Sequence, residues 1–282
     1  MKKIVYAALV AGLMAACGGE PTGVKELTKA GERAFFSEDY AQARKYFSQA
    51  VARTPSDRKL LYLLGLSYQR DFLYDSAYQY LKRADLLFPN DREINLALLD
   101  ISNALGQWQS AIRAIQVLVR TGDPLDRHLR ELADLNTKIK NWAVAYKYTR
   151  DLLRIEPDNP SLYLQAANLA AQNDSPQVAL QVIDSAIQLF GSRTEFSLNR
   201  GLYLASLERY AEAETLLRTL YAQDTTSQAV KLNLANVLAS QSDRARKEEA
   251  LRLYGELLPV VDTVLHLDSL IEQLRREIAN YR

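Results

Sequence analysis

Cys17 is the side chain best suited to covalent chemistry, and it is the single cysteine among 282 residues. It follows two lysines, Lys2 and Lys3, and an uncharged apolar run over residues 4–16. A positive start, a short apolar stretch and small residues before the cysteine are typical of an export signal. The 13 residues of that run are too few to span a bilayer comfortably. One cysteine also excludes an intramolecular disulfide.

The histidines and carboxylates do not form a pattern that indicates catalysis. His128 and His266 are far apart in the chain, and neither is close to Cys17, so no typical zinc spacing occurs. The acid pair Glu248 and Glu249 lies in a polar segment, and the sequence has no phosphate-binding glycine loop and no GxSxG motif. The sequence therefore predicts that the protein is not an enzyme and uses no metal or cofactor.

Residues 13–17, Leu-Met-Ala-Ala-Cys, resemble the lipobox of bacterial lipoproteins. This resemblance implies cleavage after Ala16, acyl chains such as palmitate on Cys17, and attachment to a membrane. Gly18 stands where proteobacterial lipoproteins of the inner membrane have Asp. That difference implies the outer membrane, with the protein facing the periplasm. An uncleaved membrane anchor with an incidental cysteine is one alternative, and a buried structural cysteine is another.

The charge balance argues against a nucleic acid as the partner. Lys plus Arg is 35 and Asp plus Glu is 34, which gives a formal net charge of +1. Loss of Lys2 and Lys3 with the signal changes that charge to −1. A nucleic-acid-binding domain usually has a clearly basic surface.

Repeats of 34 residues organise the rest of the chain and must position any binding surface. In residues 58–91, Gly65 and Ala77 stand where two helices would cross closely, and Pro89 would end the second helix. The larger residues around that crossing are Tyr68, Tyr74 and Leu81. The small residue Ala84 leaves room for the next unit. The pattern resembles the tetratricopeptide repeat, a helix–turn–helix module.

The resemblance implies an all-α fold, a right-handed α-solenoid of about seven helix–turn–helix units with a C-terminal capping helix. The expected organisation is a signal peptide over 1–16, a lipidated tether over 17–23, a solenoid over 24–259 and a capping helix over 260–282. The repeats are expected to begin at residues 24, 58, 92, 126, 160, 194 and 228. In the seventh repeat the link over 240–247 is expected to be about three residues longer than in the others, and its second helix to end near Pro259.

An apolar stripe at helical spacing supports the prediction of a capping helix. Its members are Val264, Leu267, Ile271, Leu274, Ile278 and Tyr281. The alternative is an amphipathic helix that binds a partner or a membrane. Both charge signs occur on its other face, which argues against the membrane.

The resemblance also implies that the first helices of successive repeats line a concave groove for a protein or peptide partner. The residues expected on this groove are Phe35, Tyr62, Leu66, Asp100, Arg130, Asp134, Asn168, Leu198, Asn199, Leu202 and Asn236. Phe35, Tyr62 and Leu66 would form an apolar anchor. The asparagines suit an extended chain because an amide both donates and accepts hydrogen bonds. Alternatively, these side chains are covered by their own helices or simply solvated.

One departure from the family bears on the type of ligand. Chaperone-binding relatives resemble this chain at Asn168 and Asn199 but have a lysine where Leu164 or Leu198 stands here. A clamp for a C-terminal carboxylate is therefore not expected.

Together these features predict a membrane-anchored scaffold for a bacterial envelope assembly, which binds a protein or peptide partner of that complex. Relatives with this combination help to build type IV pili, insert outer-membrane barrels or recruit cell-wall enzymes. One alternative is an accessory or regulatory subunit of a cell-wall or secreted hydrolase. A catalytic protein of an unrecognised type is the other.

Overall fold

The structure is a computed structural model that describes residues 22–265 and 267–280, with side chains described outside 259–265. The signal peptide, Cys17, His266 and Tyr281 lie outside these ranges. Within them the chain forms fifteen helices and no strand. In chain order the helices are α1 (Val24–Phe36), α2 (Tyr40–Arg53), α3 (Arg58–Arg70), α4 (Tyr74–Leu87), α5 (Arg92–Ala104), α6 (Trp108–Arg120), α7 (Leu125–Lys138), α8 (Trp142–Ile155), α9 (Pro160–Gln172), α10 (Pro176–Phe190), α11 (Thr194–Ser206), α12 (Tyr210–Gln223), α13 (Gln228–Ala239), α14 (Arg244–Leu265) and α15 (Leu267–Ala279).

The helices follow the predicted repeat. Odd-numbered helices from α1 to α13 are the first helices of seven pairs, and they begin at residues 24, 58, 92, 125, 160, 194 and 228. The second helices begin at residues 40, 74, 108, 142, 176, 210 and 244, which are 34 residues apart throughout. The predicted all-α array of helix–turn–helix units is therefore confirmed.

Glycine lies at the close crossing of the two helices in several pairs. A Cβ atom added to Gly31 would lie 2.6 Å from the Phe47 ring, and one added to Gly65 would lie 2.7 Å from Cγ of Leu81. Phe47 and Leu81 are both fully buried. The absence of a side chain at each glycine therefore lets the large residue of the second helix reach the first helix.

Several helix starts have a local chemical cause. Asp57 and Asp91 cap α3 and α5 by accepting hydrogen bonds from Leu60 N at 2.9 Å and Ile94 N at 3.0 Å. Pro176 replaces the aromatic residue that starts most second helices, and it occupies the first turn of α10, where a missing N–H costs little.

The turn within each of the first six repeats uses one residue in the left-handed region of backbone space. These residues are Glu38, Phe72, Gly106, Lys140, Asp174 and Glu208, with φ between 51° and 68°. The left-handed residue ends the first helix and reverses the chain. Glycine adopts this conformation without strain, but of these six repeats only the third has glycine at the position.

The chain divides into two compact units, one that ends at His128 and one that begins at Leu129. The first unit contains α1 to α6, and each helix from α1 to α5 packs on the next in the chain. Its fully buried side chains fill the spaces within and between pairs, and they include Leu27, Phe47, Leu61, Leu64, Leu81, Ile94, Ile115 and Leu118.

The second unit ends in a capping helix, α15, which begins at Leu267 and not at the predicted residue 260. Leu267, Ile271 and Leu274 of α15 are buried in the same apolar core as Leu253 and Leu257 of α14. The apolar face of α15 is thus covered by its own chain, so this part of the stripe serves as a cap for the last repeat.

The seventh repeat corrects two expectations about its second helix. The link between α13 and α14 is not lengthened, because α14 begins at Arg244 and Asp243 caps it by accepting a 2.8 Å hydrogen bond from Arg246 N. The extra residues instead form almost one additional helical turn, so Ala250 still faces the core. The helix also continues past Pro259 to Leu265.

A polar network joins α12 to the start of α14 in the second unit. The carboxylate of Glu214 accepts hydrogen bonds from Arg218, Gln241 and Arg246, each at 2.9 Å. Burial alone would raise the pKa of Glu214, but the three donors outweigh it and lower the pKa to about 2. Arg218 also pairs with Glu249 on α14.

Candidate functional site

All eleven predicted groove residues lie on first helices, but the two units present them in different surroundings. Phe35, Tyr62, Leu66 and Asp100 belong to the first unit. The second unit carries the others, which are Arg130, Asp134, Asn168, Leu198, Asn199, Leu202 and Asn236.

Two residues of the predicted apolar anchor in the first unit, Phe35 and Tyr62, have different neighbours. The Phe35 ring makes edge contacts with Phe36 and Tyr40, with ring centroids 6.1 and 5.5 Å apart, in the turn after α1. Tyr62 instead lies under the Arg58 guanidinium, 5.7 Å from it, and burial raises the pKa of its hydroxyl. Leu66 is half-buried. The ring contacts that the structure describes for Phe35 are therefore with residues beside the turn.

Asp100 is exposed and lines a cleft of the first unit. Aromatic residues from the first two repeats share this cleft, namely Tyr40, Phe72 and Tyr74. Sequence reasoning did not single out Phe72, because its position in the turn is occupied by a different residue type in every other repeat.

Arg130 of α7 pairs within its own repeat of the second unit, whereas Asp134 contacts the next repeat. Arg130 donates to both carboxylate oxygens of Glu156 at 2.8 and 2.9 Å. Hydrogen bonds from Asn159 and Arg130 hold the pKa of Glu156 below its ordinary value. Asp134 accepts a long hydrogen bond from Gln165 at 3.4 Å. Both predicted groove charges therefore already have partners within the chain.

Asn168 of α9 is exposed, and a tyrosine from the next repeat fixes its orientation. The Tyr203 hydroxyl donates to Oδ1 of Asn168 at 2.7 Å. Burial raises the pKa of Tyr203 to about 12, so this hydroxyl keeps its proton at physiological pH. Because Oδ1 faces the hydroxyl, the amide Nδ2 group remains available to donate, and it has no acceptor among the described residues.

Asn236 of α13 repeats this arrangement with a tyrosine of the second helix. The Tyr254 hydroxyl donates to Oδ1 of Asn236 at 2.6 Å, and burial raises the pKa of Tyr254 to about 12. Asn236 is exposed, and the Nδ2 group again has no acceptor within the described ranges. It borders a cleft that the capping helix closes with Leu270 and Gln273.

Asn199 and two leucines lie on α11, between these asparagines in the chain. Asn199 Nδ2 donates to the carbonyl of Glu195 at 2.8 Å, so this amide is used within its own helix. Leu198 is half-buried, whereas Leu202 is 37% exposed. We call Asn168, Leu202 and Asn236 the first-helix surface of the second unit.

The first-helix surface suits recognition of a polypeptide main chain. Two oriented amide N–H groups can donate to backbone carbonyls, and an exposed leucine can contact an apolar side chain. Tyr203 and Tyr254 were not predicted from sequence. The available signal was the spacing of Tyr203, which follows Asn199 by four residues and therefore lies on the same helical face.

The described residues contain no group of three or more histidine, cysteine, aspartate or glutamate side chains that could hold a metal ion. His128 is buried and lies 3.3 Å from Asp123, which also pairs with Arg92. No helix within the described ranges is long and apolar enough to cross a membrane.

Comparisons with known proteins agree with this architecture. Residues 28–93 and 164–229 match the family model described as tetratricopeptide repeat. No curated protein matches the sequence.

Solved structures resemble the chain at low identity. A chain of the Naa15/Naa10 structure bound to HypK-THB superposes with a TM-score of 0.58 at 16% identity, over 90% of this chain and 39% of that chain. This protein therefore spans about two fifths of that chain. A tetratricopeptide repeat protein from Parabacteroides merdae ATCC 43184 gives a TM-score of 0.43 at 14% identity, over 91% and 99% of the two chains. Residues 28–93 and 164–229 therefore match the tetratricopeptide repeat in sequence, and the superposition shows the shared helical-repeat fold.

Proposed function

We propose that this protein is a lipid-anchored scaffold of a bacterial envelope assembly, and that it binds an extended segment of a partner protein. Stacked helical repeats form broad surfaces that are well suited to protein binding. The protein would act by binding alone, because holding a partner beside the membrane raises the local concentration of that partner.

The oriented asparagines are the observation that carries the binding proposal. Asn168 and Asn236 each have Oδ1 held by a tyrosine hydroxyl. Fixing the amide before the partner arrives reduces the entropy lost on binding. A partner segment that runs along the first-helix surface would accept hydrogen bonds from these amides through its own carbonyls.

The anchor proposal rests on the sequence around Cys17. Lys2, Lys3, the apolar run and the lipobox-like residues before Cys17 all support export and acylation. Two or more acyl chains would hold the protein stably at a bilayer, whereas one chain binds only weakly. Because Gly18 stands where lipoproteins of the inner membrane have Asp, we place the protein at the outer membrane, facing the periplasm.

Site-specific photo-crosslinking in cells tests the binding surface. A photoreactive amino acid at Leu202 should capture an envelope protein, whereas the same amino acid at Gln181, exposed on the second helix α10, should not. Equal capture from both positions, or capture from Gln181 alone, would contradict the proposal. A captured hydrolase whose rate changes on binding would instead favour an accessory subunit.

Substitution of the cysteine tests the anchor separately. Cys17→Ser should abolish incorporation of labelled palmitate and shift the protein from the membrane fraction to the soluble or unprocessed fraction. Unchanged labelling and fractionation would contradict the anchor while leaving the binding proposal intact.

A further inference from the structure

Phe36 and Phe72 are the two most exposed large apolar side chains in the described part of the chain, at 83% and 76% exposure. Phe36 is the last residue of α1, directly before the turn of the first repeat, and Phe72 lies in the corresponding turn of the second repeat. Exposed phenylalanine rings on neighbouring turns are a costly arrangement for a soluble surface unless a partner covers them.

The backbone at Phe72 adds a second cost. Its φ is 58°, in the left-handed region, where a bulky side chain is strained and where the third repeat has Gly106. Burial of the ring does not compensate for this conformation, because the side chain is mostly exposed.

The aromatic residues in and beside these two turns form one surface, which we call the turn strip. Phe36 contacts Phe35, and Phe35 contacts Tyr40. Tyr40 then lines the same cleft as Phe72 and Tyr74, which contact each other with ring centroids 6.1 Å apart. An apolar segment of a partner could therefore meet both exposed rings at once.

Four carboxylates lie next to the turn strip in the chain. Glu38 and Asp39 lie between Phe36 and Tyr40, and Asp71 and Asp75 flank Phe72 and Tyr74 in the chain. Asp39 caps α2, and Asp71 pairs with Arg44, so these two are partly neutralised. Glu38 and Asp75 are exposed and form no ion pair with another described residue. Arg70 is the basic residue in the cleft lining.

We propose that the turn strip is a second docking surface, for a polypeptide segment whose apolar side chains are flanked by lysine or arginine. Phe36 and Phe72 would contact the apolar side chains, while Glu38 and Asp75 would attract the basic ones. This surface lies in the first unit and is separate from the first-helix surface of the second unit. An anionic membrane and a second acidic copy of the same strip would both be repelled by these carboxylates.

Synthetic peptides test the proposal. The probe is a short peptide in which leucine alternates with lysine, and the two comparison peptides replace lysine by glutamate or leucine by serine. The full chain should bind the leucine–lysine peptide in preference to both. Phe36→Ser and Phe72→Gly should each weaken that binding by about tenfold or more, as expected for an anchor residue. Glu38→Lys should also weaken it and reduce its dependence on salt.

Two controls separate docking from folding. Leu86→Ser removes an apolar side chain that is 68% exposed at the end of α4, and it should leave peptide affinity unchanged. Phe72→Gly should raise the melting temperature while it weakens binding, a combination that a structural role for the ring would not give. The proposal is overturned by wild-type affinity in both phenylalanine variants, by no preference for the leucine–lysine peptide, or by binding of phosphatidylglycerol vesicles through these rings instead.

Discussion

The Tyr203 hydroxyl donates a 2.7 Å hydrogen bond to Oδ1 of Asn168, which lies one repeat earlier in the chain. This bond links α11 to α9 and fixes which edge of the asparagine amide remains available. A contact between repeats thus also prepares a surface group for binding.

Removal of this hydroxyl should weaken binding more than it alters the fold. Tyr203→Phe keeps the ring in the core but frees the Asn168 amide to rotate, so affinity for the crosslinked partner should fall by about 1 kcal/mol, or roughly fivefold. Isothermal titration calorimetry measures this loss. Tyr163→Phe is the matched control, because the Tyr163 ring packs on Phe190 and its hydroxyl makes no hydrogen bond with a described residue. Equal affinity in the two variants would contradict the role of the Tyr203 hydroxyl.

Alanine substitutions should rank the glycines by the space around them. Gly31→Ala and Gly65→Ala place a Cβ atom 2.6 and 2.7 Å from Phe47 and Leu81, so each should destabilise the protein by about 1–3 kcal/mol. Gly201→Ala should cost less, since its nearest contact is Leu217 at 3.2 Å.

Gly255 on α14 provides the opposite control. A Cβ atom there meets nothing within 4 Å, so Gly255→Ala should stabilise the helix by about 0.5–1 kcal/mol. Urea denaturation measures all four variants. A loss of stability in Gly255→Ala, or none in Gly31→Ala, would show that local space does not set the order.

Phe72→Gly should stabilise the protein by about 1 kcal/mol, because glycine adopts the left-handed conformation of this turn without strain. Thermal unfolding followed by circular dichroism measures the change. Phe72→Ala is the control, since it removes the ring but keeps a Cβ atom in the strained conformation. A similar increase in stability in both variants would show that the effect comes from loss of the exposed ring and not from relief of the backbone conformation.

The Glu214 network should make stability depend on acid pH. Burial raises the pKa of this carboxylate, but hydrogen bonds from Gln241, Arg246 and Arg218 lower it from 4.5 to about 2. Because the folded-state pKa is depressed, the stabilisation is full above about 4.5 and is lost as the pH falls toward 2.

Glu214→Gln should therefore lower the free energy of unfolding near neutral pH, and its difference from wild type should shrink between pH 4.5 and 2. Chemical denaturation across this window measures the difference. Glu212→Gln, which breaks an exposed pair with Arg209, should have a smaller effect. A constant difference across the window would contradict the depressed pKa.

Sequence spacing predicted the helix pairs because small and large residues recur at positions set by close helix crossings. Gly65 and Leu81 illustrate this, since the contact between them was implied by their places in the repeat. The same logic misplaced the start of α14. An insertion shifts the core residues of the second helix to later positions whether it lengthens the helix or the link before it. The sequence pattern alone therefore does not distinguish these two cases.

The details of the surfaces were less predictable. The 34-residue register placed Asn168 and Asn236 on first helices, yet the tyrosines that orient them come from different places, Tyr203 on a first helix and Tyr254 on a second. Sequence reasoning did not predict that the Phe35 ring contacts Phe36 and Tyr40, which it does because it lies in the last turn of α1. Side-chain direction near a helix end depends on the turn that follows, and turn residues vary most between repeats.

The aspartate caps described for α3 and α5 have a consequence for how the gene can change. Asp57 precedes Arg58, and Asp91 precedes Arg92, so the junctions before these two helices share the same Asp-Arg pair. Excision of residues 58–91 would join Asp57 to Arg92 and regenerate the same cap. Duplication of that segment would do likewise. Mutation can therefore add or remove a whole repeat here without inventing a new turn, which makes repeat number a quantity that selection can adjust directly.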